Sequence, residues 1–327
     1  MAKKVLFIGG TGIISSACVR SAIADGMEVF VLNRGKTSRR PLPDEARVLI
    51  GDVRDTAAVR DALDDLDFDV VVDFVGFMPD HIETDIALFQ GSVGQFVYIS
   101  SASAYQKPLA QLPITESTPL ANRFWEYSRD KIACEALLNA AYRDKGFPVT
   151  IVRPSSTYDK TCLPFLGEWT AIDRMRRGLP VVVPGDGTSL WVLTHHEDFA
   201  NAFVSLLGNP HAIGDTFHIT SDELQTWNQI FLTLGHAAGC EPQLVHIASD
   251  SIAKTVPEWG PPLLGDAAHS VIFDNSKIKR LAPGWAARIP FAQGAAEMIR
   301  WRDEDGARRV ADPTVDAAFD ALVAAYV

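Results

Sequence analysis

Three side chains in the middle of the chain have the types and the spacing for acid–base chemistry at an oxygen atom. Tyr127 and Lys131 are four residues apart on a predicted helix, so they share one face of that helix. A lysine ammonium beside a phenol lowers the pKa of the phenol, which then acts as an acid or a base near neutral pH. Ser101 follows a predicted strand, and we expect its hydroxyl to bind the oxygen that Tyr127 protonates or deprotonates. The three residues predict proton transfer at an alcohol or a carbonyl.

A glycine-rich turn near the N-terminus indicates a nucleotide site. The apolar residues 5–8 run into the glycine-rich residues 9–12, and an amphipathic helix is predicted to follow. A strand, a turn of this kind and a helix N-terminus together hold the pyrophosphate of a dinucleotide. Ser15 stands at the third glycine position of the motif, and its small side chain still lets the helix pack on the strand. Together with the acid–base residues, the turn predicts hydride transfer between a nicotinamide and a secondary alcohol or ketone.

The residues after the second, third and fourth predicted strands bear on which nicotinamide cofactor binds. An acidic residue at the end of the second strand favours NAD, but here Asn33, Arg34 and Lys36 stand there. We predict NADP, because Arg34 and Lys36 can bind a 2′-phosphate; NAD is the alternative, with Arg34 stacked on adenine. Asp52 either accepts from the adenine amino group or caps the next helix, and Gly76 would let the backbone approach the cofactor. The predicted cofactor contacts are Gly9, Gly12, Ile13, Asn33, Arg34, Asp52, Val53, Gly76, Tyr127 and Lys131.

The elements that must position these residues are short apolar strands alternating with amphipathic segments. The predicted strands are Val5–Ile8, Glu28–Leu32, Arg47–Ile50, Val70–Asp73, Phe96–Ser100 and Thr150–Arg153. The predicted helices are Ile13–Asp25, Thr56–Leu66, His81–Gln90 and Trp125–Arg143. This alternation is typical of a parallel sheet with helices on both faces. We predict an α/β fold, a doubly wound parallel (Rossmann) sheet with its ligand crevice beyond the carboxyl ends of the strands.

After about residue 154 the elements become shorter and less regular. We expect residues 1–160 to form the dinucleotide-binding domain, with returning elements near 190–215, and residues 161–327 to form a smaller α/β substrate-binding region. The predicted helices are Phe165–Arg177, His196–Leu207, Trp227–Ala238, Phe291–Arg302 and Thr314–Ala325. The predicted strands are Val181–Val183, Leu190–Leu193, Thr216–Ile219 and Leu244–Ile247.

Composition limits the classes of partner. The formal net charge of −11 disfavours nonspecific binding to nucleic acids and anionic membranes, which requires an excess of lysine and arginine. The chain has no apolar run long enough to span a membrane and no signal-peptide pattern, so we expect a cytoplasmic protein. Its four cysteines are scattered without metal-ligand spacing, so we expect free thiols and no metal site. Homodimer formation is left open.

An ordered set of motifs across residues 9 to about 200 resembles the extended short-chain dehydrogenase/reductases of the NAD-dependent epimerase/dehydratase family. The motifs are Gly9-Gly10-Thr11-Gly12, Gly51-Asp52-Val53, Ser100–Tyr105, Tyr127-x-x-x-Lys131, Val152-Arg153-Pro154 and Thr194–Ala200. The resemblance implies Ser101, Tyr127 and Lys131 as the catalytic triad and a substrate held by the second half of the chain.

Departures from the family pattern bear on the substrate. Sugar 4,6-dehydratases carry an Asp-Glu pair where this chain has Ala102-Ser103, so elimination of water is rejected. The residues 188–193 lack the basic residue that grips the pyrophosphate of a nucleotide sugar, and residues 153–159 lack the usual asparagine. We therefore favour a small sugar-like substrate over a nucleotide sugar. The predicted substrate contacts are Ser103, Arg153, Ser156 and Trp191, and the nearby cations that would have to replace the missing grip are Arg153, Lys160, Arg174, Arg176 and Arg177.

Three functions are compatible with these motifs. The favoured one is a sugar epimerase, and the alternative is an NADPH-dependent reductase of a keto sugar, toward which Asn33 and Arg34 point. The third, from another class, is a noncatalytic RNA-binding relative, against which the net charge and the intact Tyr127/Lys131 pair argue. The adjacent His195 and His196 are interpreted as a helix start, with Thr194 and Glu197 as a capping box, rather than as a catalytic pair.

Overall fold

A parallel sheet lies at the centre of the molecule, and seven strands of the described chain belong to it. The computed structural model describes residues 2–35, 39–63 and 66–327. The strands in chain order are β1 (Lys4–Ile8), β2 (Glu28–Asn33), β3 (Arg47–Ile50), β4 (Phe68–Asp73), β5 (Val93–Ile99), β6 (Val149–Pro154), β7 (Ser156–Tyr158), β8 (Val181–Pro184), β9 (Leu190–Trp191), β10 (Leu193–His195), β11 (Thr216–Ile219), β12 (Gln225–Thr226) and β13 (Leu244–Ile247).

The order of strands in this sheet is β11-β6-β5-β4-β1-β2-β3, and every neighbouring pair is parallel. The chain leaves β1 toward one edge and returns through β4 toward the other, so the strand order reverses between β1 and β4. The doubly wound α/β fold is thus confirmed, and its crevice is expected at this reversal point.

Helices cover both faces of the sheet and build the second half. They are α1 (Ile13–Ala24), α2 (Thr56–Leu63), α3 (Pro79–Phe89), α4 (Glu126–Lys145), α5 (Glu168–Arg176), α6 (His196–Phe203), α7 (Trp227–Ala237), α8 (Ser249–Thr255), α9 (Gly260–Pro262), α10 (Ser276–Leu281), α11 (Phe291–Asp303) and α12 (Pro313–Tyr326). One turn of π-helix, Leu263–Ala267, follows α9. Cys18 on α1 and Cys134 on α4 are fully buried against opposite faces of the sheet, as free thiols in the core.

The second half forms a separate apolar core and also returns to the main sheet. Helix α6 packs on α1, and β11 adds the edge strand beside β6. The pairs β8–β13, β7–β10 and β9–β12 form short two-stranded sheets outside it. The predicted strand Leu190–Leu193 is wrong as one element, because Trp191 pairs antiparallel with Gln225, whereas Leu193 begins a parallel pairing with Ser156.

The predicted helix Phe165–Arg177 begins three residues later than expected. Gly167 precedes it with φ +79°, a left-handed conformation that glycine adopts without strain, so the helical path starts at Glu168. No helix in the described part of the chain is long and apolar enough to cross a membrane. Lys36 and the predicted helical residues Asp64 and Asp65 lie outside the described residues.

Candidate active site

A cleft of about 1020 Å³ lies beyond the carboxyl ends of β1 to β4, at the point where the strand order reverses. It brings together seven of the predicted cofactor contacts, and its lining includes Gly9, Gly12, Ile13, Asn33, Arg34, Asp52 and Val53. The position follows from the parallel sheet, because the chain leaves the carboxyl end of every strand at this edge. The cleft is an open groove floored by backbone, and its shape and lining fit a dinucleotide.

The glycines of the first turn serve two different purposes. Gly9 has φ +85°, and a Cβ there would lie 2.4 Å from Val75 Cγ1, so the turn itself requires glycine at this position. A Cβ at Gly12 would meet only Ser15 Oγ, at 3.0 Å, which leaves the N-terminus of α1 accessible from the cleft. Ser15 is buried and accepts a hydrogen bond from the Gly12 N–H at 2.7 Å. The serine in place of the third glycine therefore keeps the helix packed and also satisfies one backbone donor of the turn.

The adenosine side of the cleft is polar and partly exposed. Arg34 is exposed there beside Asn33, and Lys36 is outside the described residues. Asp52 does not cap the next helix, because Asp55 accepts from the N–H of Ala58 in that role. Asp52 instead accepts from the Arg54 N–H at 3.1 Å and keeps its carboxylate at the cleft. Of the two readings of Asp52, the adenine contact is the one that fits this position.

Arg40, which sequence reasoning missed, borders the same cleft. Its guanidinium forms an ion pair with Asp159, just after β7, and donates to Thr161. Burial acts to raise the pKa of Asp159, but the hydrogen bonds from Arg40 and Thr161 bring it below its usual value. The pair ties the segment after β2 to the segment after β7. The only sequence signal was an arginine a few residues beyond the second strand.

Gly76 was predicted to let the backbone approach the cofactor, and the structure gives a different reason for glycine there. Gly76 is buried, and a Cβ would lie 2.3 Å from Asp73 Oδ2 and 3.1 Å from Tyr98 Cε2. Its carbonyl accepts hydrogen bonds from Lys131 Nζ at 2.7 Å and from the Tyr98 hydroxyl at 3.1 Å. The glycine therefore lets the end of β4 pack tightly beneath Lys131.

The predicted hydroxyl groups meet at the end of β5. Ser101 Oγ lies 2.9 Å from Ser103 Oγ, which accepts a hydrogen bond from Ser128 Oγ at 2.8 Å. The phenol of Tyr127, at the start of α4, lies close enough to Ser101 for the serine hydroxyl to act to lower its pKa. Ser101 and Tyr127 both line a cavity of about 230 Å³, as do Ser103, Ser156 and Trp191. A carbonyl oxygen in this cavity would be within reach of both hydroxyl groups.

Lys131 lies beneath this cavity with 1% of its surface exposed. Its ammonium donates to the carbonyl of Gly76 at 2.7 Å and to that of Ile99 at 2.8 Å. Burial lowers the pKa of Lys131 to about 8, although Asp73 acts in the opposite direction. Lys131 therefore joins the ends of β4 and β5 at the edge where the cofactor cleft meets the substrate cavity.

The expectation that Lys131 lowers the pKa of Tyr127 is wrong for this structure. Burial raises the pKa of the Tyr127 phenol, the nearby Ser101 hydroxyl lowers it, and the charge of Asp266 raises it. Lys131 Nζ is 5.8 Å from the centre of the Tyr127 ring, because it is drawn to the backbone carbonyls instead. Helical spacing correctly indicated a shared face, but it gave no information about these competing acceptors.

The side chain of Arg153, a predicted substrate contact, is buried and bonded to other side chains of the protein interior. Its Nε donates to Glu135 Oε1 at 2.9 Å, its Nη2 donates to Glu135 Oε2, and it is 4% exposed. The guanidinium also lies 4.8 Å from the centre of the Tyr105 ring. Arg153 lines neither the cleft nor the cavity, so the prediction of a substrate contact is wrong. The acidic partner on α4 could not be read from the strand motif alone.

The adjacent histidines mark a helix start, but not through the expected capping box. His195 itself caps α6, with its Nδ1 accepting from the Glu197 N–H at 3.3 Å. Thr194 Oγ1 is occupied elsewhere, because it accepts from the Ser221 N–H at 2.9 Å and bonds Ser155. Burial, and then the charge of His195, lower the pKa of His196 to about 4.

A second cavity of about 600 Å³ adjoins the small one. The two share Trp125, Ser156, Trp191 and Asp266. Trp191 stacks on Trp227 with ring centres 5.2 Å apart, and Phe165 also lines this larger cavity. Asp266, on the π-helical turn, was missed from sequence, since an isolated aspartate far from every motif carries no signal.

Three comparisons with known proteins agree with this geometry. A family model described as the NAD dependent epimerase/dehydratase family matches residues 5–220. The 2'-dehydrokanamycin reductase of Streptomyces kanamyceticus is 28% identical over 98% of this chain and 90% of its own length. The chloroplast stem-loop binding protein of 41 kDa b of Arabidopsis thaliana is 30% identical over 75% of this chain, and the match spans 66% of that relative. Among solved structures, epimerase Mth375 of Methanothermobacter thermautotrophicus superposes with a TM-score of 0.75 at 18% identity, covering 93% of both chains.

Proposed function

The chain belongs to the NAD-dependent epimerase/dehydratase family, and on that premise we propose that it is a nicotinamide-dependent reductase of a ketone on a sugar-like substrate. The observation that carries the proposal is the convergence of Ser101 and Tyr127 on one small cavity, with Lys131 buried at the ends of β4 and β5. The sequence alone favoured an epimerase over a reductase. The site favours a reductase, because it lacks, within the described residues, the free cations that would hold a nucleotide sugar.

Four of the five cations that could hold a nucleotide sugar are engaged elsewhere, and the fifth, Lys160, is exposed and lines neither substrate cavity. Arg153 pairs with Glu135, Arg176 pairs with Asp303 at 2.7 Å, and Arg174 and Arg177 both pair with Asp316. A pyrophosphate group requires such cations, so a nucleotide sugar lacks its usual anchor here. One relative, which matches 98% of this chain, is named as a reductase of a dehydrokanamycin, and that name contains no nucleotide. These observations support a one-way reduction of a small glycoside.

The residues have distinct roles in the proposed reaction. The nicotinamide, when bound, supplies the hydride to the carbonyl carbon. Tyr127 donates its phenolic proton to the carbonyl oxygen, and Ser101 holds that oxygen by a hydrogen bond. Burial raises the pKa of Tyr127, so the phenol carries its proton before reduction. Lys131, buried at the ends of β4 and β5, would orient the cofactor ribose.

A turnover assay separates the two candidate activities. Purified protein is mixed with NADPH or NADH and a panel of keto-glycosides, and the absorbance of the reduced nicotinamide is followed. We expect oxidation of the cofactor in equal amount to the alcohol formed. An epimerase, the candidate that the family description favours, would instead interconvert two hydroxyl epimers with no net change in cofactor. That second result would overturn the reductase and restore the epimerase.

We propose NADP rather than NAD as the cofactor. Arg34 is exposed at the adenosine end of the cleft, next to Asn33, where a carboxylate would otherwise repel a 2′-phosphate. Its guanidinium can therefore form a charge-assisted hydrogen bond to that phosphate.

RNA binding is the candidate of another class, and the chloroplast stem-loop binding relative favours it. The net charge of −11 opposes it, because RNA affinity depends on neutralising phosphates. A filter-binding titration with a stem-loop RNA at physiological salt decides the point. Submicromolar binding that survives in Tyr127→Phe, together with no reduction of any ketone, would replace the proposed enzyme by an RNA-binding protein.

A further inference from the structure

The larger cavity holds the part of the substrate that does not react, and its chemistry differs from that of a nucleotide site. The cavity opens directly onto the catalytic one through Trp125, Ser156, Trp191 and Asp266. A substrate whose carbonyl reaches Ser101 and Tyr127 would therefore extend its remaining rings into this space. At about 600 Å³ it has the size of a typical small-molecule pocket.

The walls of this cavity are aromatic. Five tryptophans and two phenylalanines line it, namely Trp125, Trp169, Trp191, Trp227, Trp259, Phe165 and Phe231. Flat aromatic faces bind the apolar faces of sugar rings, and they also attract organic cations through their π electrons. Such walls bind rings that need few hydrogen bonds, but they do not bind a phosphate group.

The charged groups of the lining are all acidic within the described residues. Glu168, Asp266 and Asp312 line the cavity, and no lysine, arginine or histidine of the described chain does. Asp266 pairs with Lys107 at 2.8 Å, and Asp312 accepts the backbone N–H groups at the start of α12. Glu168 is exposed and belongs to no ion pair of the described residues, and its backbone is held at φ +44°, a conformation that costs energy for any residue but glycine. Glu168 is thus the carboxylate best placed to meet a positive charge on a ligand.

The same wall contains a buried indole N–H that has no hydrogen-bond acceptor among the described residues. Trp191 is 5% exposed, and its indole Nε1 has no hydrogen-bond partner in the described part of the chain. The neighbouring Trp227, by contrast, donates its indole N–H to the Ala267 carbonyl at 2.9 Å. A buried N–H without a partner is costly. The Nε1 atom itself is closed to solvent, so Trp191 presents its ring, rather than its N–H, to the cavity.

We propose that this cavity selects an amine-bearing sugar or aminocyclitol, with its protonated amine near Glu168 and its rings against the tryptophan walls. This inference rests on the proposed function, since it names the substrate class of the same site. Aromatic walls bind the rings, Glu168 attracts the ammonium, and the acidic lining repels phosphate groups. The cavity therefore rejects nucleotide sugars by charge as well as by the lack of an anchor.

The test measures binding rather than turnover. Isothermal titration calorimetry in the presence of saturating NADP compares kanamycin and 2-deoxystreptamine with methyl glucoside and UDP-glucose. We expect the two amines to bind more tightly than methyl glucoside, and UDP-glucose to bind most weakly. Glu168→Gln should weaken the amines by roughly two- to fivefold, as expected for a partly exposed charge pair, and leave methyl glucoside unchanged. Trp191→Phe should weaken all three ring ligands by roughly two- to tenfold, since the smaller ring removes part of the aromatic wall.

The matched control is Glu241→Gln, which removes an exposed carboxylate outside the cavity, paired with His236 on the surface. It should leave every affinity at the wild-type value. Tighter binding of UDP-glucose than of either amine, no binding of either amine, or equal effects of Glu168→Gln and Glu241→Gln would each overturn the inference.

Two outcomes distinguish a failure of this inference from a failure of the proposed function. Reduction of a neutral keto-glycoside together with preferred binding of UDP-glucose would overturn only the inference about amines. Binding of the amines as described, with no oxidation of NADPH or NADH by any ketone, would overturn the function and leave the amine-selective cavity standing.

Discussion

The cofactor side and the substrate side of the candidate site are built in different ways. The cofactor cleft is lined mainly by residues at or soon after the carboxyl ends of β1 to β4. The substrate cavities are formed by side chains such as Trp125, Ser156, Phe165, Trp191 and Asp266, which come from widely separated segments. The hydrophobic pattern of a parallel sheet determines where strand ends meet, whereas the convergence of distant side chains depends on how irregular segments pack. The first side is therefore far more predictable than the second.

The largest expected effect tests the point where the two sides meet. Tyr127→Phe removes one hydroxyl and little volume, so it should lower the rate of reduction by roughly 10²–10⁴-fold. NADP affinity should stay close to the wild-type value, because the cofactor cleft is built elsewhere. Steady-state kinetics and a calorimetric titration provide the two measurements. More than about a tenth of the wild-type rate would show that Tyr127 is not the proton donor.

The next prediction compares a buried ion pair beneath the sheet ends with an exposed one in the second half. Glu135→Gln leaves Arg153 buried without its partner, which should cost roughly 3–5 kcal/mol of unfolding free energy. Asp303→Asn breaks the partly exposed pair with Arg176 and should cost less than about 1 kcal/mol. Urea denaturation measures both. Equal losses would contradict the difference drawn here between the two regions.

A smaller effect addresses the adenosine end of the cleft. Arg34→Ala should weaken NADPH by roughly 1.5–3 kcal/mol more than NADH, since only NADPH offers the 2′-phosphate. Fluorescence titration with both cofactors checks this, with Arg123→Ala, away from the cleft, as a control. An equal loss for both cofactors would instead indicate that Arg34 stacks on adenine.

The smallest expected effect concerns His196, which lies beside His195 and could be mistaken for a catalytic residue. The pKa of His196 is about 4 in the folded protein, below the ordinary value near 6.5 of an unfolded chain. The unfolded state therefore binds more protons between these values, and stability should fall by roughly 1–2 kcal/mol as the pH drops from 6.5 to 5. His196→Gln should remove that part of the pH dependence and leave turnover nearly unchanged. A hundredfold loss of rate with unchanged melting would place His196 in the active site.

Particular residues show what the sequence could and could not reveal. The strands β1 to β6, the cleft residues and the meeting of Ser101 with Tyr127 follow from local patterns and from the rule that parallel strands end at one edge. Arg153 and Lys131 were misjudged for a common reason, since each was assigned by its position in a motif while its partners come from another element. Arg153 donates to Glu135, and Lys131 donates to the carbonyls of Gly76 and Ile99. Asp266 lies in a segment with no periodic pattern, and the periodicity of the segments that carry Trp169 and Trp227 does not show that these side chains face one cavity.

The two carbonyl contacts of Lys131 have a thermodynamic consequence for cofactor association. The ammonium is already stripped of water and fixed in one rotamer by the ends of β4 and β5. Lys131 therefore loses its hydration and its side-chain entropy on folding, whereas a flexible surface lysine would lose both on binding the cofactor. Exchange of one carbonyl for a ribose hydroxyl then replaces one hydrogen bond by another of similar strength. This contact should contribute to selectivity and orientation of the bound nucleotide far more than to its net affinity.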